Sequence, residues 1–591
     1  MSSHSTSRDS VIKHQPTPVA PPEPTTATSG RRAAFRASAS HIYDRVTTRH
    51  GWLGDYDYAW LCLPTLPFSL PGRFKGKKRQ VGPPFYALES ELPILVAMTT
   101  GLQHALAMLA GLITPPIIFA SSLSLDGETS AYMISASLIG CGILSLVQMS
   151  RIHLWRNFYL GTGLLSVVGT SFSTLSTASS VFDNMYADGT CPTTTAADGT
   201  VTRLACPDAY GYILGTSLIC SFLEIFMAFV PPRTLKRIFP PMVTGTVILL
   251  IGASLIGSSG IPNWGGGSNC EGRPTTGDYV YCPSNSAPRP ALWGSPEMIG
   301  LGFLSFVSII LTELFGSPFL KNISIIVGLA IGCIVAGATG YIDGSSITSA
   351  PGITFLWVKT FRIRVYPPAI LPMLAVYSDW RRDGLCRVSR VAVDGEEFDS
   401  RIQGGVLSDG LGGFMSALFT VAPLSLFAQN NGVIAERGRW CCFFLILFGV
   451  LGKISGVFLA IPNPVLGGVT TFLFASVAVS GVRVLAYNRF TRRDRFVLAA
   501  ALSFGLGDIL VADFLTYLFA GVRTNNKGLQ GFLDSITIVI STPCLIAVLL
   551  NLILPQEDDQ NGDDDDVIER GIEREVVHVE AAERGHDEKK M

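Results

Sequence analysis

Apolar stretches dominate this chain and recur between residues 92 and 554, with short polar breaks between them. Most of them reach the roughly twenty residues that a helix needs to cross a hydrocarbon core about 30 Å thick. The composition agrees, because 48% of the 591 residues are hydrophobic and 15% are charged, a balance that is unusual for a soluble domain. The sequence therefore predicts an all-α polytopic membrane protein.

Fourteen candidate segments can be delimited, of which the eighth and the tenth are too short to span a bilayer. The segments are Leu92–Ile118, Ala131–Met149, Phe158–Ser179, Ala209–Val230, Pro240–Gly260, Met298–Gly316, Ile323–Tyr341, Val365–Tyr377, Gly405–Phe427, Asn430–Ala435, Cys441–Ile461, Val465–Tyr487, Asp494–Ala520 and Phe532–Leu554.

The charges outside these segments predict the orientation of the protein. Lys and Arg collect in every second loop and in the flank Arg73–Arg79, and such regions stay on the cytoplasmic side. Both termini are therefore expected in the cytosol. Residues 1–83 and the acidic tail 556–591 are polar and lack apolar periodicity, so we expect both to be disordered around a transmembrane domain at 84–555. The formal net charge of −1 says little about partners, because a basic N-terminal flank and an acidic tail cancel in it, and no nucleic-acid partner is expected.

Four cysteines lie in the two long loops that this orientation places outside the cell. Cys191 and Cys206 share the first loop, and Cys270 and Cys282 share the second. An oxidising exterior permits disulfides there, and two bridges within the loops are expected. Four free thiols, or pairing between the loops, stay open as alternatives. No spacing of metal ligands occurs in the sequence, and we expect no metal site.

Polar groups inside apolar segments point to function, because an amide or a charge in hydrocarbon needs a partner or a wet cavity. The first segment contains Gln103 and His104, a pair that favours bonding to a neighbouring helix over direct ligand contact. The third segment is interrupted by a Gly/Ser/Thr-rich run, Gly161–Phe172, and the tenth opens with three amides in Phe427–Gly432.

These two interruptions occupy the third position of the first seven and of the second seven segments. Transporters built from inverted repeats bind substrate where such discontinuous elements meet. Short extended breaks in segments 3 and 10 are therefore expected, although close helix packing and a plain loop are the alternative interpretation. The residues nominated for substrate binding are Ser171, Phe172, Ala428, Gln429 and Asn430.

At these residues the chain resembles the nucleobase-ascorbate transporter family. Gln429–Ala435 resembles the family signature, which reads Gln or Glu, Asn, any residue, Gly, four residues of any kind, Thr and then Arg or Lys. Further similar runs are Gly101–Met108, Gly161–Phe172 and Phe398–Leu407, and the resemblance extends over Pro84–Pro555. Within the family, the chain is most similar to fungal uric acid and xanthine permeases.

The resemblance implies a fourteen-segment, seven-plus-seven inverted repeat with core and gate domains, and a homodimer. It also implies a plasma-membrane permease that carries xanthine and uric acid with protons, needs no cofactor and is no enzyme. Gln429 would hold the purine through a bidentate amide contact, Ala428 and Phe172 would add backbone contacts, and Asn430 would orient the site. Asp409, His104 and Gln103 would support the core helices or proton coupling.

The chain departs from the family pattern at two places. The eighth segment stops at Tyr377, where the family continues with an apolar helix that holds an acidic residue. Asp383 lies near that place, but Arg381 and Arg382 beside it make a buried coupling role doubtful. In addition, Arg437 stands where the signature has Thr.

Several functions therefore stay open beside the permease. They are a non-functional or mis-spliced transporter-fold product that lacks part of segment 8 and the signature end, a carrier of another nucleobase, a carrier of an inorganic anion, and a non-transporting receptor.

Overall fold

The computed structural model describes residues 46–54, 62, 93–155, 158–164, 166–195, 201–231, 234, 238, 240–267, 270–271, 280–282, 291–342, 344–376, 396–426, 435–486, 491–511, 533, 536 and 543–554. The chain forms two compact units. The smaller unit comprises Met1–Tyr56 and Pro93–Leu95, and its helix α1 (Arg49–Leu53) lies inside the region 1–83 that was expected to be disordered. The larger unit comprises Asp57–Leu92 and Val96–Met591 and contains the candidate site.

The larger unit is helical, with three short pairs of strands. Its helices are α2 (Ile94–Ser122), α3 (Gly127–Met149), α4 (Phe172–Ala187), α5 (Pro207–Met227), α6 (Pro241–Leu255), a π-helix (Ile256–Gly260), α7 (Ile261–Gly265), α8 (Pro296–Phe315), α9 (Pro318–Asn322), α10 (Ser324–Ala338), α11 (Ser345–Ser349), α12 (Pro367–Val376), α13 (Glu396–Leu418), α14 (Ala435–Val450), α15 (Gly452–Leu459), α16 (Asn463–Ala486), α17 (Arg492–Leu510) and α18 (Pro543–Ile553). Antiparallel pairs join β1 (Ile152–Trp155) to β2 (Phe158–Leu160), β3 (Val168–Thr170) to β6 (Leu424–Leu426), and β4 (Thr193–Thr195) to β5 (Val201–Arg203).

Six helices in the described part of the chain are long and apolar enough to cross a membrane. The pair Arg439–Val450 and Gly452–Leu459, bent by 79°, makes a seventh if it counts as one span. A helical polytopic membrane protein is thereby confirmed, whereas the count of fourteen segments and their inverted repeat stay predictions. The six are Ile94–Ser122, Gly127–Met149, Pro207–Met227, Pro241–Gly265, Pro296–Phe315 and Asn463–Ala486.

Several segment boundaries differ from the prediction. The third segment is two strands and a helix that starts at Phe172, since glycines at positive φ interrupt the backbone before it. In the ninth segment the helix ends at Leu418, and strand β6 follows at Leu424–Leu426. The predicted loop between the tenth and eleventh segments is helical, because α14 starts at Ala435 and runs directly into the apolar stretch that follows.

The helices pack in two groups. In one group α3 packs against α14 and α15, and α5 packs against α12 and α13. In the other, α16 packs against α6, α7, α8 and α10, and α6 also contacts α17 and α18. Close approach in the second group depends on glycine, since a Cβ atom on Gly468 would lie 2.2 Å from the carbonyl oxygen of Gly302. Small residues at such contacts let helix backbones approach in a membrane.

Disulfides close both of the loops that carry cysteine pairs. Cys191 bonds to Cys206 beside the β4–β5 hairpin, and Cys270 bonds to Cys282. The structure thus pairs the cysteines within each loop, rather than between the loops or as free thiols.

Candidate functional site

The strand pair β3–β6 lies at the centre of the candidate site. The Gly-rich run before β3 cannot continue as a helix, because Gly161 and Gly163 have φ angles of +86° and +64°. Thr162 stabilises this run, since its hydroxyl oxygen accepts the Leu164 amide at 3.1 Å. The chain then forms β3, which pairs with β6 in the register Val168↔Leu426, Gly169↔Ser425 and Thr170↔Leu424.

Helix α3 holds β3 in place through small polar side chains. Ser145 Oγ accepts a hydrogen bond from the Val168 amide at 3.0 Å, and Ser137 Oγ lies 3.4 Å from Thr170 Oγ1. The Cys141 thiol also bonds to the Val168 carbonyl. All these side chains are buried. A strand of three residues is thus fixed by hydrogen bonds on two sides, from α3 and from β6.

Ser171 and Phe172 form the start of α4, directly after β3. The Ser171 amide donates to the Pro423 carbonyl at 3.0 Å, and Ser171 Oγ caps the helix by accepting the Thr174 amide at 3.3 Å. Phe172 is partly exposed and meets Phe474 of α16 edge to face, with ring centroids 5.7 Å apart. A capped helix N-terminus beside an aromatic face can accept a polar, planar ligand.

Thr174 is a polar group at this helix start that sequence reasoning missed. Its side chain is fully buried, and its hydroxyl has no hydrogen-bond partner among the described residues. Buried hydroxyls normally have a partner. The one sequence signal that could have found it is its position in the first turn after the Ser171 cap.

Two buried carboxyl groups lie on packed helices next to this region. Asp409 on α13 is 4% exposed and Glu224 on α5 is 7% exposed. The helices touch there, because a Cβ atom on Gly410 would lie 2.7 Å from the Ile225 amide nitrogen. The sequence analysis nominated Asp409, whereas Glu224 was not among the nominated residues. Carboxyl groups at such depth are costly to charge, which is the property that proton relays use.

Gln103 and His104 lie on α2. Gln103 is 3% exposed, and its Nε2 donates to the carbonyl oxygens of Pro318 and Phe319 at 3.4 and 3.3 Å. It therefore ties α2 to α9. His104 is half-buried.

Four nominated residues lie outside the described residues, namely Ala428, Gln429, Asn430 and Asp383. The strand β6 ends immediately before the segment that contains the first three of them. Among the described residues, no group of three or more His, Cys, Asp or Glu could hold a metal ion.

Comparison with known proteins assigns the family. The family described as "Permease family" matches residues 95–514. The chain belongs to this family, the nucleobase-ascorbate transporters. The family resemblance is thereby confirmed, and so is the expectation of a membrane transporter rather than an enzyme.

Relatives of this permease are similar over most of its length. The uric acid-xanthine permease of Emericella nidulans is 47% identical over 549 residues, covering 90% of this chain and 92% of that protein. The xanthine permease XanQ of Escherichia coli K12 is 31% identical over 489 residues, covering 80% and 93%. The transmembrane domain of the cyanobacterial bicarbonate transporter BicA matches 77% of this chain and 96% of that chain at 14% identity, with a TM-score of 0.41.

Proposed function

We propose that this permease carries xanthine and uric acid across the plasma membrane together with protons. The antiparallel pairing of β3 with β6 is the observation that carries the proposal. It joins the capped start of α4, with Ser171 and Phe172, to the strand that leads into Gln429. The 47% identity to a uric acid-xanthine permease supports the same substrates.

The residue types support a purine rather than an inorganic anion. A primary amide such as Gln429 presents a donor and an acceptor side by side, which matches the edge of a xanthine ring. Asn430 orients that amide, Ala428 and Phe172 offer backbone groups, and the Phe172 ring covers one face of the purine. An inorganic anion would instead use cationic groups or a helix N-terminus, so it is the amides of Gln429 and Asn430 that favour a purine.

Proton coupling is assigned to the buried carboxyl groups. Asp409 and Glu224 lie on packed helices, so protonation of either removes a buried charge and changes how α13 and α5 contact each other. His104 and Gln103 on α2 are assigned to support of the core helices, with Gln103 bonded to α9, and Asp383 is a further candidate for proton coupling.

The remaining architecture follows from the family and the loop charges. We assign the two helix groups to a core domain and a gate domain within a fourteen-segment inverted repeat, and the permease to a homodimer. Regions 1–83 and 556–591 are assigned to the cytosol, on either side of the transmembrane domain 84–555. The disulfide loops support this orientation, since disulfides persist in an oxidising exterior.

Uptake of labelled xanthine tests the substrate proposal. The chain is expressed in cells without their own purine permeases, and uptake is competed with uric acid, uracil and sulfate. We expect competition by uric acid and not by sulfate, together with loss of uptake when a protonophore collapses the proton gradient. Competition by sulfate would indicate an anion carrier, and competition by uracil at low concentration a broader nucleobase carrier.

The same assay decides whether the departures at segment 8 and at the signature end matter. A matched variant carries a full-length eighth helix and a complete signature. Background uptake by the unmodified chain, with rescue in that variant, would identify the chain as a non-functional or mis-spliced product. Equal uptake by both would show that neither departure is limiting.

Thiol labelling on intact cells tests the orientation. We expect an impermeant maleimide to label Cys191, Cys206, Cys270 and Cys282 only after reduction, because each is disulfide-bonded and its loop is assigned to the exterior. Cys386 lies in a loop assigned to the cytosol and serves as the internal control. Labelling of Cys386 on intact cells would reverse the orientation.

A further inference from the structure

Two strained backbone positions meet at one tyrosine hydroxyl near the candidate site. Trp357 and Thr420 have φ angles of +66° and +61°, in a region that non-glycine residues rarely adopt and β-branched residues least of all. They are two of the three non-glycine residues with positive φ in the described part of the chain. Such positions persist where the surrounding structure holds them, and they cluster at functional sites.

The hydroxyl group of Tyr132 on α3 links both positions. It accepts the Trp357 amide at 2.9 Å and lies 2.6 Å from Thr420 Oγ1, and the Thr420 hydroxyl in turn donates to the Phe419 carbonyl. All three hydrogen bonds form together when the Tyr132 hydroxyl donates to Thr420 Oγ1. Tyr132 and Thr420 are 5% and 4% exposed, so water offers no ready replacement.

Further contacts hold the same turn from other elements. Tyr210 of α5 donates to the Thr420 carbonyl at 3.2 Å. Trp357 Nε1 donates to the Leu418 carbonyl at 3.0 Å, and the Trp357 ring meets Phe419 edge to face with centroids 5.6 Å apart. We call Tyr132, Trp357, Thr420 and Tyr210 the tyrosine clamp. It fixes the turn where α13 ends and the chain starts towards β6.

This turn controls the geometry of the candidate site through a short stretch of backbone. Thr420 is followed by Val421, Ala422 and Pro423, and the Pro423 carbonyl is the group that accepts the Ser171 amide. Strand β6 starts at the next residue, where Leu424 pairs with Thr170. A change in the backbone angles of Thr420 would therefore shift the pairing of β6 with β3, because few rotatable bonds lie between Thr420 and β6.

We propose that the tyrosine clamp sets the register of β6 on β3, and that Tyr132 is a positioning residue for purine binding. This rests on the proposed function, in that the bound molecule is taken to be a purine. Tyr132 itself acts through Thr420 and not by touching the substrate. Loss of its hydroxyl should make the chain from Thr420 to β6 less rigid. It should leave no cavity in the hydrophobic core, because the aromatic ring remains.

The test compares Tyr132→Phe with Tyr186→Phe. Tyr186 of α4 is similarly buried and also donates its hydroxyl to a carbonyl, that of Leu204 at 2.8 Å, but far along the helix from Ser171. We expect Tyr132→Phe to raise the KM for xanthine about tenfold, because it takes away the buried hydroxyl that the Trp357 amide and the Thr420 hydroxyl share. It should also change the ratio of the inhibition constants of uric acid and hypoxanthine. Tyr186→Phe should leave KM and that ratio unchanged.

A double-mutant cycle and hydrogen exchange make the test decisive. If Tyr132 acts through Thr420, Tyr132→Phe combined with Thr420→Val should have little more effect on KM than either change alone. In the purified full chain, Tyr132→Phe should speed amide exchange within residues 418–426. Additive effects, or a loss of surface abundance with unchanged KM, ratio and exchange, would overturn the proposal. Absence of purine uptake by the unsubstituted chain at the cell surface would instead overturn the proposed function, while the exchange data still decide whether the clamp exists.

Discussion

Gln429→Ala is expected to weaken xanthine binding by roughly ten- to a hundredfold at equal surface abundance. Under the proposed function, the substitution removes both hydrogen bonds that the Gln429 amide would make to the purine edge. Losing one partner of a buried hydrogen-bonded pair costs about 1–3 kcal/mol, and each 1.4 kcal/mol or so is a factor of ten in affinity. The KM for xanthine uptake, and competition by unlabelled xanthine, measure the effect.

Two companion variants separate a lost contact from a disturbed segment. Asn431 is also an amide, but it stands where the family signature accepts any residue, so Asn431→Ala should leave the affinity nearly unchanged. Gln429→Glu keeps an acceptor oxygen and matches the other residue that the signature allows, so it should retain part of the affinity. Equal losses in Gln429→Ala and Asn431→Ala would point to a disturbed segment rather than to a purine contact.

The long apolar spans could be predicted because they depend on local sequence. Hydrocarbon thickness fixes how long an apolar stretch must be, and the six long apolar helices fall within predicted segments or extend them slightly. The interruption before Phe172 was visible as glycine, serine and threonine. Local reasoning also nominated Ser171, which caps α4, whereas Asp409, which is buried, was nominated from the family resemblance.

What could not be predicted depends on partners distant in the chain. In the sequence, Tyr132 is one more residue of an apolar helix. Only the structure shows that its hydroxyl bonds to Trp357 and Thr420. The bend at Leu451 and the helix through the predicted loop at 436–440 were not predicted either, and α14 and α15 on both sides of the bend pack against α3, a distant segment that no hydropathy pattern reports. The bonds from Gln103 to Pro318 and Phe319 likewise join residues that are far apart in sequence.

Gly404→Ala is expected to be a strongly damaging single-methyl change in α13. A Cβ atom on Gly404 would lie 2.7 Å from the carbonyl oxygens of both Gly161 and Tyr159, which are backbone atoms that cannot rotate away. The Gly404 carbonyl also accepts the Gly161 amide at 3.0 Å, so separation of the two segments breaks a hydrogen bond as well. Overpacking of this kind costs about 1–3 kcal/mol or more.

The same helix supplies the control for that prediction. A Cβ atom on Gly412 would meet no atom within 4 Å, and Gly412 lies inside α13. Gly412→Ala should therefore be neutral, or stabilising by up to about 1 kcal/mol through helix propensity. We expect Gly404→Ala to lower the thermal unfolding midpoint of the purified permease and to reduce its surface abundance several-fold, because marginal stability sets cellular abundance. Gly404 and Asp409 lie on the same helix. The Gly404→Ala permease that reaches the cell surface should therefore also show a lower uptake rate per molecule than the parent chain. If both variants unfold at the temperature of the parent chain, α13 does not contact the Gly161 segment as closely as these distances indicate.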